Sequence, residues 1–328
     1  MDSHRATAPT THEGWDAERP SDIPKSGFKD VAARVKTKIK EHHVTLAAAG
    51  VAFYAFLASV PALAAAVSIA GLVLSPERAR ELVSDGLEAA PDEVGDLLSA
   101  QLGSVAETGG GALSISIAIS VGLALWAASS GVQHLVEAIG IAYDEPDERG
   151  FVARRGQALV LTIGAIVIAL LALAAIAVVP AVTRALDLPG ALRLLVSLAV
   201  WLVLGLVLTF ALTVVYRVGP DRRSAEWRWV TWGAGIAVIV WIVASIGFQI
   251  YVSNFGSYDE TYGSLAAIVI FLMWLFISSF AILLGAEINA SLERQTAVDT
   301  TGGDRPIGQR GAVVADEVGN QSDRSGLS

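Results

Sequence analysis

Seven polar or ionisable side chains lie close to the ends of long apolar runs, and they are the residues with which this sequence could do chemistry. Imidazole and carboxyl groups exchange protons, and amide groups hold them in place by hydrogen bonds. The seven are His42, His43, Gln133, His134, Glu137, Glu287 and Asn289. Spacings of three and four residues place the middle three on one face if their segment is helical. We expect a polar cluster at one level of a helix bundle.

This expected cluster allows two interpretations. In the functional one it is a proton- or ion-linked gate, or a binding site for a lipid head group, because ionisable groups are costly inside a membrane. In the structural one the side chains reach the lipid head groups or form hydrogen bonds between helices.

Pro61, near the middle of the first apolar run, also allows two interpretations. A proline there removes a backbone hydrogen bond and favours a kink, in a helix that lines a transport path or in one that is merely bent.

Six apolar runs must position these side chains. The chain has 328 residues, of which 53% are hydrophobic and 17% charged, against about 25% charged in soluble domains. The runs cover residues 44–74, 112–136, 158–180, 191–216, 230–252 and 264–290. Each is long enough to cross the hydrocarbon core as a helix, which satisfies its own backbone hydrogen bonds there. The sequence therefore predicts an all-α fold, a polytopic membrane bundle of six transmembrane helices.

Lysine and arginine residues are distributed unevenly between the ends of these runs. They concentrate before the first run and after the second and the fourth, and Arg294 follows the sixth, whereas the other ends carry few of them. Segment 254–263, between the last two runs, has two acids, two tyrosines and no base. Because basic residues favour the cytoplasmic side of a membrane, both termini are predicted to be cytoplasmic and 254–263 to face outward.

Segments outside the runs also have patterns that predict structure. Residues 28–43 form a basic amphipathic helix that lies either on the anionic inner leaflet or in solvent ahead of the first span. Residues 75–111 are predicted to be an outer loop of two short helices. The tails, 1–27 and 293–328, are polar and are expected to be disordered, which leaves 28–292 as the membrane domain.

Aromatic and small residues add predictions about the spans themselves. Trp227, Trp229 and Trp232 stand beside arginines at the start of the fifth span, which is typical of an interfacial aromatic belt. Small residues around Gly131 and Gly285 favour close approach of helices.

Composition and motifs argue against several classes of protein. The formal net charge is −9 without a basic stripe, which disfavours a nucleic-acid partner. The chain has no cysteine, and its five histidines form no HxH or HxxxH pair. Phosphate-binding loops, HExxH and GxSxG are also missing from the sequence. We therefore expect no metal, no cofactor and no enzymatic activity.

Four blocks of sequence resemble a known family. They are AFYAFLASVPAL, LWAASSGVQHLVEAIGIAYDEPDERGFVARR, YRVGP and the long block from YVSNFGSYDETYGSL to LLGAEINASL. The positions that carry the likeness are Tyr54, Pro61, Tyr143, Arg149, Gly219, Pro220, Tyr262, Gly263, Gly285, Glu287 and Asn289. With these blocks, residues 28–292 resemble the YihY/BrkB family of bacterial inner-membrane proteins, once labelled ribonuclease BN.

The resemblance implies a six-span helical fold in the inner membrane with both termini cytoplasmic, in agreement with the distribution of basic residues. It implies no settled activity. Our leading hypothesis is transport or handling of a lipid or small solute, with the first, second and sixth spans lining the path. The alternatives are a scaffold that binds other membrane proteins and lipids, and a membrane-bound ribonuclease, which the missing ligand motifs disfavour.

Overall fold

The computed structural model describes residues 17–73, 115–145, 147–186, 188–221, 225–253 and 264–296. Within these ranges the chain is helical and contains no strand. The helices are α1 (Lys25–Glu41), α2 (Val44–Val73), α3 (Ile115–Ala142), α4 (Phe151–Ala185), α5 (Gly190–Val218), α6 (Trp227–Ser253) and α7 (Ser264–Glu293). The all-α prediction is confirmed. The predicted outer loop 75–111, segment 254–263 and most of both tails lie outside the described residues.

Five of the described helices are long and apolar enough to cross a membrane. The qualifying segments are Val44–Ala62, Phe151–Ile176, Gly190–Val218, Trp227–Ser253 and Ala266–Glu293. Helix α3 is not among these five, which are identified from the described side chains alone. The sixth span therefore stays a prediction, although α3 has 28 residues and coincides with the second apolar run.

Helices α2, α3, α6 and α7 form the packed centre, and α4 and α5 lie outside it. Helices α2 and α3 run antiparallel, so His42 at the start of α2 meets Asp144 at the end of α3, and Tyr54 meets His134 further along. Leu171 and Trp201 are 66% and 64% exposed, and much of the apolar surface of α4 and α5 is equally open. Apolar side chains turned outward on this scale are typical of a surface that faces lipid.

A close helix contact joins α6 to α7 through two glycines. A Cβ atom added to Gly285 would lie 2.7 Å from the Cβ of Ala237 and 2.7 Å from the carbonyl oxygen of Gly233. Asn289 then ties the helices together, since its Oδ1 accepts from the amide of Gly233 at 2.7 Å and its Nδ2 donates to the carbonyl of Val230 at 2.9 Å. The prediction of close packing at Gly285 is confirmed by this geometry.

Helix α1 differs from both expectations for residues 28–43, a helix on the inner leaflet and a helix in solvent, because its apolar face packs on the bundle. Its apolar residues Val31 and Val35 are buried against Trp229 of α6 and Leu292 of α7. Arg34 donates to the carbonyl of Ser291 at 2.9 Å. The apolar face is therefore used by protein packing, because the ends of α6 and α7 offer it a dry surface.

Two further expectations change in the same region. Trp229 is 1% exposed, so it belongs to the core and not to an interfacial belt, whereas Trp227 and Trp232 remain exposed. The segment expected to be disordered is ordered from residue 17, where Ala17 and Ile23 are buried in the same apolar cluster. Thr296 donates to the carbonyl of Ala17 at 2.7 Å. The two described ends of the chain therefore lie side by side.

We predict that Gly233→Ala destabilises the α6–α7 contact, because the new methyl group would collide with the backbone oxygen of Gly285 and with Asn289. Overpacking of this kind costs about 1–3 kcal/mol. Thermal unfolding of the purified protein in detergent measures it as a lowered melting temperature.

Gly235→Ala is the matched control, since nothing lies within 4 Å of its added methyl group on the same helix. Equal melting temperatures for the two variants would contradict the packing described above.

Candidate functional site

The predicted polar residues form two groups instead of one. The first group, called here the terminal cluster, consists of Lys38, His42, Asp144, Glu287 and Arg294. The second, called the α2–α4 cluster, consists of Tyr54, Gln133, His134, Glu137, Arg154 and Arg155. Sequence reasoning missed Lys38, Asp144, Arg154, Arg155 and Arg294 as members of these groups.

His42 is the centre of the terminal cluster because it lies between two carboxyl groups. Its Nδ1 is 2.7 Å from Oε1 of Glu287, and its Nε2 is 3.0 Å from Oδ1 of Asp144. An imidazole can donate from both nitrogens only when it is doubly protonated. The three groups therefore share protons: either His42 is an imidazolium between two carboxylates, or one of the carboxyl groups is protonated.

Glu287 is fully buried, and one of its oxygens is not used. Its exposed fraction is 0%, and Oε2 has no hydrogen-bond partner among the described residues. Glu287 lies near the end of the span Ala266–Glu293, where α7 packs against the α1–α2 junction. A buried carboxyl group with a free oxygen is costly and needs either a proton or a further donor.

Asp144 reaches this site because of the way α3 ends. The amide of Glu145 donates to the carbonyl of Gly140 at 3.0 Å, and the amide of Asp144 donates to the carbonyl of Ile141 at 3.0 Å. These two bonds are a Schellman motif, whose left-handed position is held here by Asp144 with φ of 56°. Aspartate tolerates this conformation better than most residues other than glycine. The motif turns the chain so that Asp144 faces His42.

The charge of Asp144 is stabilised by its neighbours. Burial opposes ionisation, but Arg294, His42 and Lys38 outweigh it and lower the pKa of Asp144 from its ordinary value of 3.8. Arg294 donates directly to Oδ2, and Lys38 lies 3.3 Å from the same oxygen. The carboxylate therefore links α1, α3 and the end of α7.

The α2–α4 cluster is half-buried and contains both aromatic and charged groups. The rings of Tyr54 and His134 are stacked, with centroids 3.6 Å apart. Nδ1 of His134 is 3.2 Å from Oε2 of Glu137, and Gln133 donates to Oε1 of Glu137 at 3.4 Å. Arg155 donates to Oε1 of Gln133 at 3.1 Å. Gln133, His134 and Glu137 thus share one face of α3, as predicted, and this face contacts α2 and α4.

The remaining predicted residues have different surroundings. Asn289 is buried in the α6–α7 contact, where it holds the two helices together. It does not join the terminal cluster, because a residue two positions after Glu287 points to a different side of α7. His43 is exposed, with φ of 48°, at the junction between α1 and α2. Pro61 lies inside α2, which continues on both sides of it. Tyr262 and Gly263 lie outside the described residues.

Arg149, one of the positions that carry the resemblance to the family, organises the loop between α3 and α4. It binds Asp147 through two hydrogen bonds of 2.9 and 2.8 Å, and it also donates to Gln157 and to the carbonyl of Gly219 at the end of α5. The hydrogen bond from Arg149 holds the pKa of Asp147 below its ordinary value. Within the described ranges no group of three or more His, Asp or Glu residues is arranged to hold a metal ion.

Comparison with known proteins gives a family and two kinds of relative. The family model of virulence factor BrkB matches residues 35–306. A putative ribonuclease-like protein, YfkH, of Bacillus subtilis is 36% identical over 57% of this chain and 67% of its own length. UPF0761 membrane proteins of Tolumonas auensis and Nitrosospira multiformis are 37% and 39% identical, over 28% and 32% of this chain. These two alignments cover only 30% and 24% of the relatives' lengths. No solved structure matches.

We predict that Asp144→Asn weakens the terminal cluster without disturbing the turn, because asparagine also tolerates the left-handed conformation. The loss is about 1 kcal/mol, since solvent screens a side chain that is more than a third exposed. Because the folded pKa of Asp144 is lowered, its contribution is present above the ordinary pKa and is lost as the pH falls below it.

Thermal melting between pH 7 and pH 3 measures both effects. The wild type loses stability toward acid, and its difference from Asp144→Asn begins to shrink only at the acid end of this range, below the ordinary pKa of 3.8. A difference that stays constant with pH would show that the carboxylate charge is not responsible.

Proposed function

The chain belongs to the virulence factor BrkB family, and from this premise we propose that it is a multi-pass protein of the bacterial inner membrane that moves or handles a lipid or small solute. The observation that carries the proposal is the buried pair His42–Glu287, joined at 2.7 Å beside an unused carboxylate oxygen. Ionisable groups in this position are uncommon in membrane proteins unless they act on protons, ions or substrates.

The pair supports a proton-linked change between two states of the bundle. A proton moves between Nδ1 of His42 and Oε1 of Glu287 without changing the net charge of the pair. Uptake of one more proton makes the pair positive and removes the attraction between imidazolium and carboxylate. Since Glu287 belongs to α7 and His42 to the α1–α2 junction, the charge of the pair sets how tightly these elements are held together.

The α2–α4 cluster gives the proposed path a second polar region. Helix α2 begins at Val44, two residues after His42, and Tyr54 lies ten residues further on, which is about 15 Å along a helix. The two clusters therefore lie at different depths along α2 and α3. Helices α2, α3 and α7, which carry them, correspond to the first, second and sixth predicted spans and pack on one another.

The orientation of the protein is part of the proposal. Both described ends of the chain meet at Thr296 and Ala17, and arginine and lysine residues concentrate at this end of the bundle. We place this end in the cytoplasm, following the preference of basic residues for that side.

The test is transport by the purified full chain in vesicles of phosphatidylcholine and phosphatidylglycerol. One assay follows the transfer of fluorescent phosphatidylglycerol between leaflets by dithionite quenching, and another follows proton entry with a trapped pH-sensitive dye. We expect the wild type to accelerate at least one process over protein-free vesicles and Glu287→Gln to slow it about a hundredfold, as the loss of a proton-transfer group does.

Asp30→Asn is the matched control, because Asp30 is an exposed acid on α1. It should leave the rate unchanged. No acceleration by the wild type would overturn the proposal, and wild-type rates for Glu287→Gln would remove the pair from it. A stoichiometric membrane-protein partner without flux would instead assign the scaffold role, and metal-dependent RNA cleavage would assign the activity that the name of YfkH suggests.

A further inference from the structure

Arg155 is a buried cation whose partners are all neutral. Its exposed fraction is 9%, and its guanidinium group lies over the ring of Trp126, 4.3 Å from the centroid. Its two terminal nitrogens donate to Oε1 of Gln133 and to the carbonyl of Trp126, while Nε has no partner in the described part of the chain. No described carboxylate lies within ion-pair distance of Arg155. A buried charge of this kind is costly unless an opposite charge approaches it.

The surroundings of Arg155 increase the positive potential. Arg154 and Arg155 lie in the first turns of α4, which has no acid in its first turn, and the helix N-terminus adds a partial positive charge. Glu137 is the nearest described acid, 4.0 Å from Arg154, and it is also engaged by His134 and Gln133. Arg154 is thus balanced by Glu137 and, at longer range, by Asp147, whereas the charge of Arg155 has no carboxylate beside it among the described residues.

The position of this charge corresponds to the level of lipid head groups. Helix α4 is a candidate span that begins at Phe151, so its first turns lie where a membrane-crossing helix enters the bilayer. Trp126, over which Arg155 lies, and Phe151 are both exposed, with their rings 6.2 Å apart. Exposed aromatic residues next to arginine mark the interface between hydrocarbon and head groups.

We propose that Arg154 and Arg155 bind the phosphate of an anionic membrane lipid, with Trp126 and Phe151 against its glycerol and upper acyl carbons. Arg154, whose side chain is about a third exposed, supplies the accessible donors. Arg155 supplies the uncompensated charge behind it, held in place by Trp126 and Gln133. The inference concerns binding alone and does not depend on transport.

The experiment measures thermal stabilisation of the purified full chain in neutral detergent by three probes. They are a short-chain phosphatidylglycerol, the matching phosphatidylcholine, and inorganic phosphate. We expect phosphatidylglycerol to raise the melting temperature saturably and the other two to have little effect. Equal responses to the two lipids would overturn the inference, and an equal response to inorganic phosphate would show a free-phosphate site instead of a lipid site.

Gln133→Glu is the decisive variant, because it places a carboxylate at the position 3.1 Å from Nη1 of Arg155 and neutralises the cation from within. We expect its apparent affinity for phosphatidylglycerol to fall about tenfold, as expected for a lost charge-assisted hydrogen bond. Its own melting temperature in detergent reports folding. Arg155→Lys, which keeps the charge but loses the planar donor group, should show an intermediate response.

Arg228→Gln is the control, because it lowers the net charge of the protein by the same amount at a different site. Arg228 is an exposed residue of α6 that pairs with the neighbouring Glu226. It should keep the wild-type response to phosphatidylglycerol. If Gln133→Glu also keeps that response, Arg155 is not the charge that recognises the lipid. If Arg228→Gln loses it as fully as Gln133→Glu does, the effect is one of net charge and the site is wrong.

Discussion

The contact between His42 and Glu287 is the interaction around which one end of the bundle is arranged. It joins residues that are 245 positions apart in the chain, and through Asp144 it extends to the end of α3. A buried carboxyl group cannot be left without a partner at low cost, so the α1–α2 junction must lie against α7. Arg294 and Lys38 complete the arrangement by keeping Asp144 ionised.

The rest of the fold is consistent with this constraint. Gly233 and Gly285 allow α6 to approach α7 closely, and Asn289 holds the two helices at that distance through backbone hydrogen bonds. Helix α1 then covers the ends of both with Val31 and Val35. The end of the bundle that carries both described termini is therefore packed as in a water-soluble protein, whereas α4 and α5 expose apolar surface as lipid-facing helices do.

The two polar clusters differ in what satisfies their charges. In the terminal cluster the acids Asp144 and Glu287 meet His42, Lys38 and Arg294, so that the charges are balanced within the protein. In the α2–α4 cluster Arg155 has only neutral partners. Polar groups at two depths of one bundle can thus have separate roles, one between helices of the protein and one toward the membrane.

Sequence alone determined the class of fold and most helix positions, because crossing hydrocarbon requires long apolar helices and this requirement is visible as composition. It also located Gln133, His134, Glu137 and Glu287, since ionisable residues stand out in such runs. It did not determine their partners. Asp144 enters the site only through the left-handed turn after α3, and Asn289 leaves it because helical rotation carries it toward α6. Contacts between segments distant in the chain depend on packing and rotation, which only the tertiary structure decides.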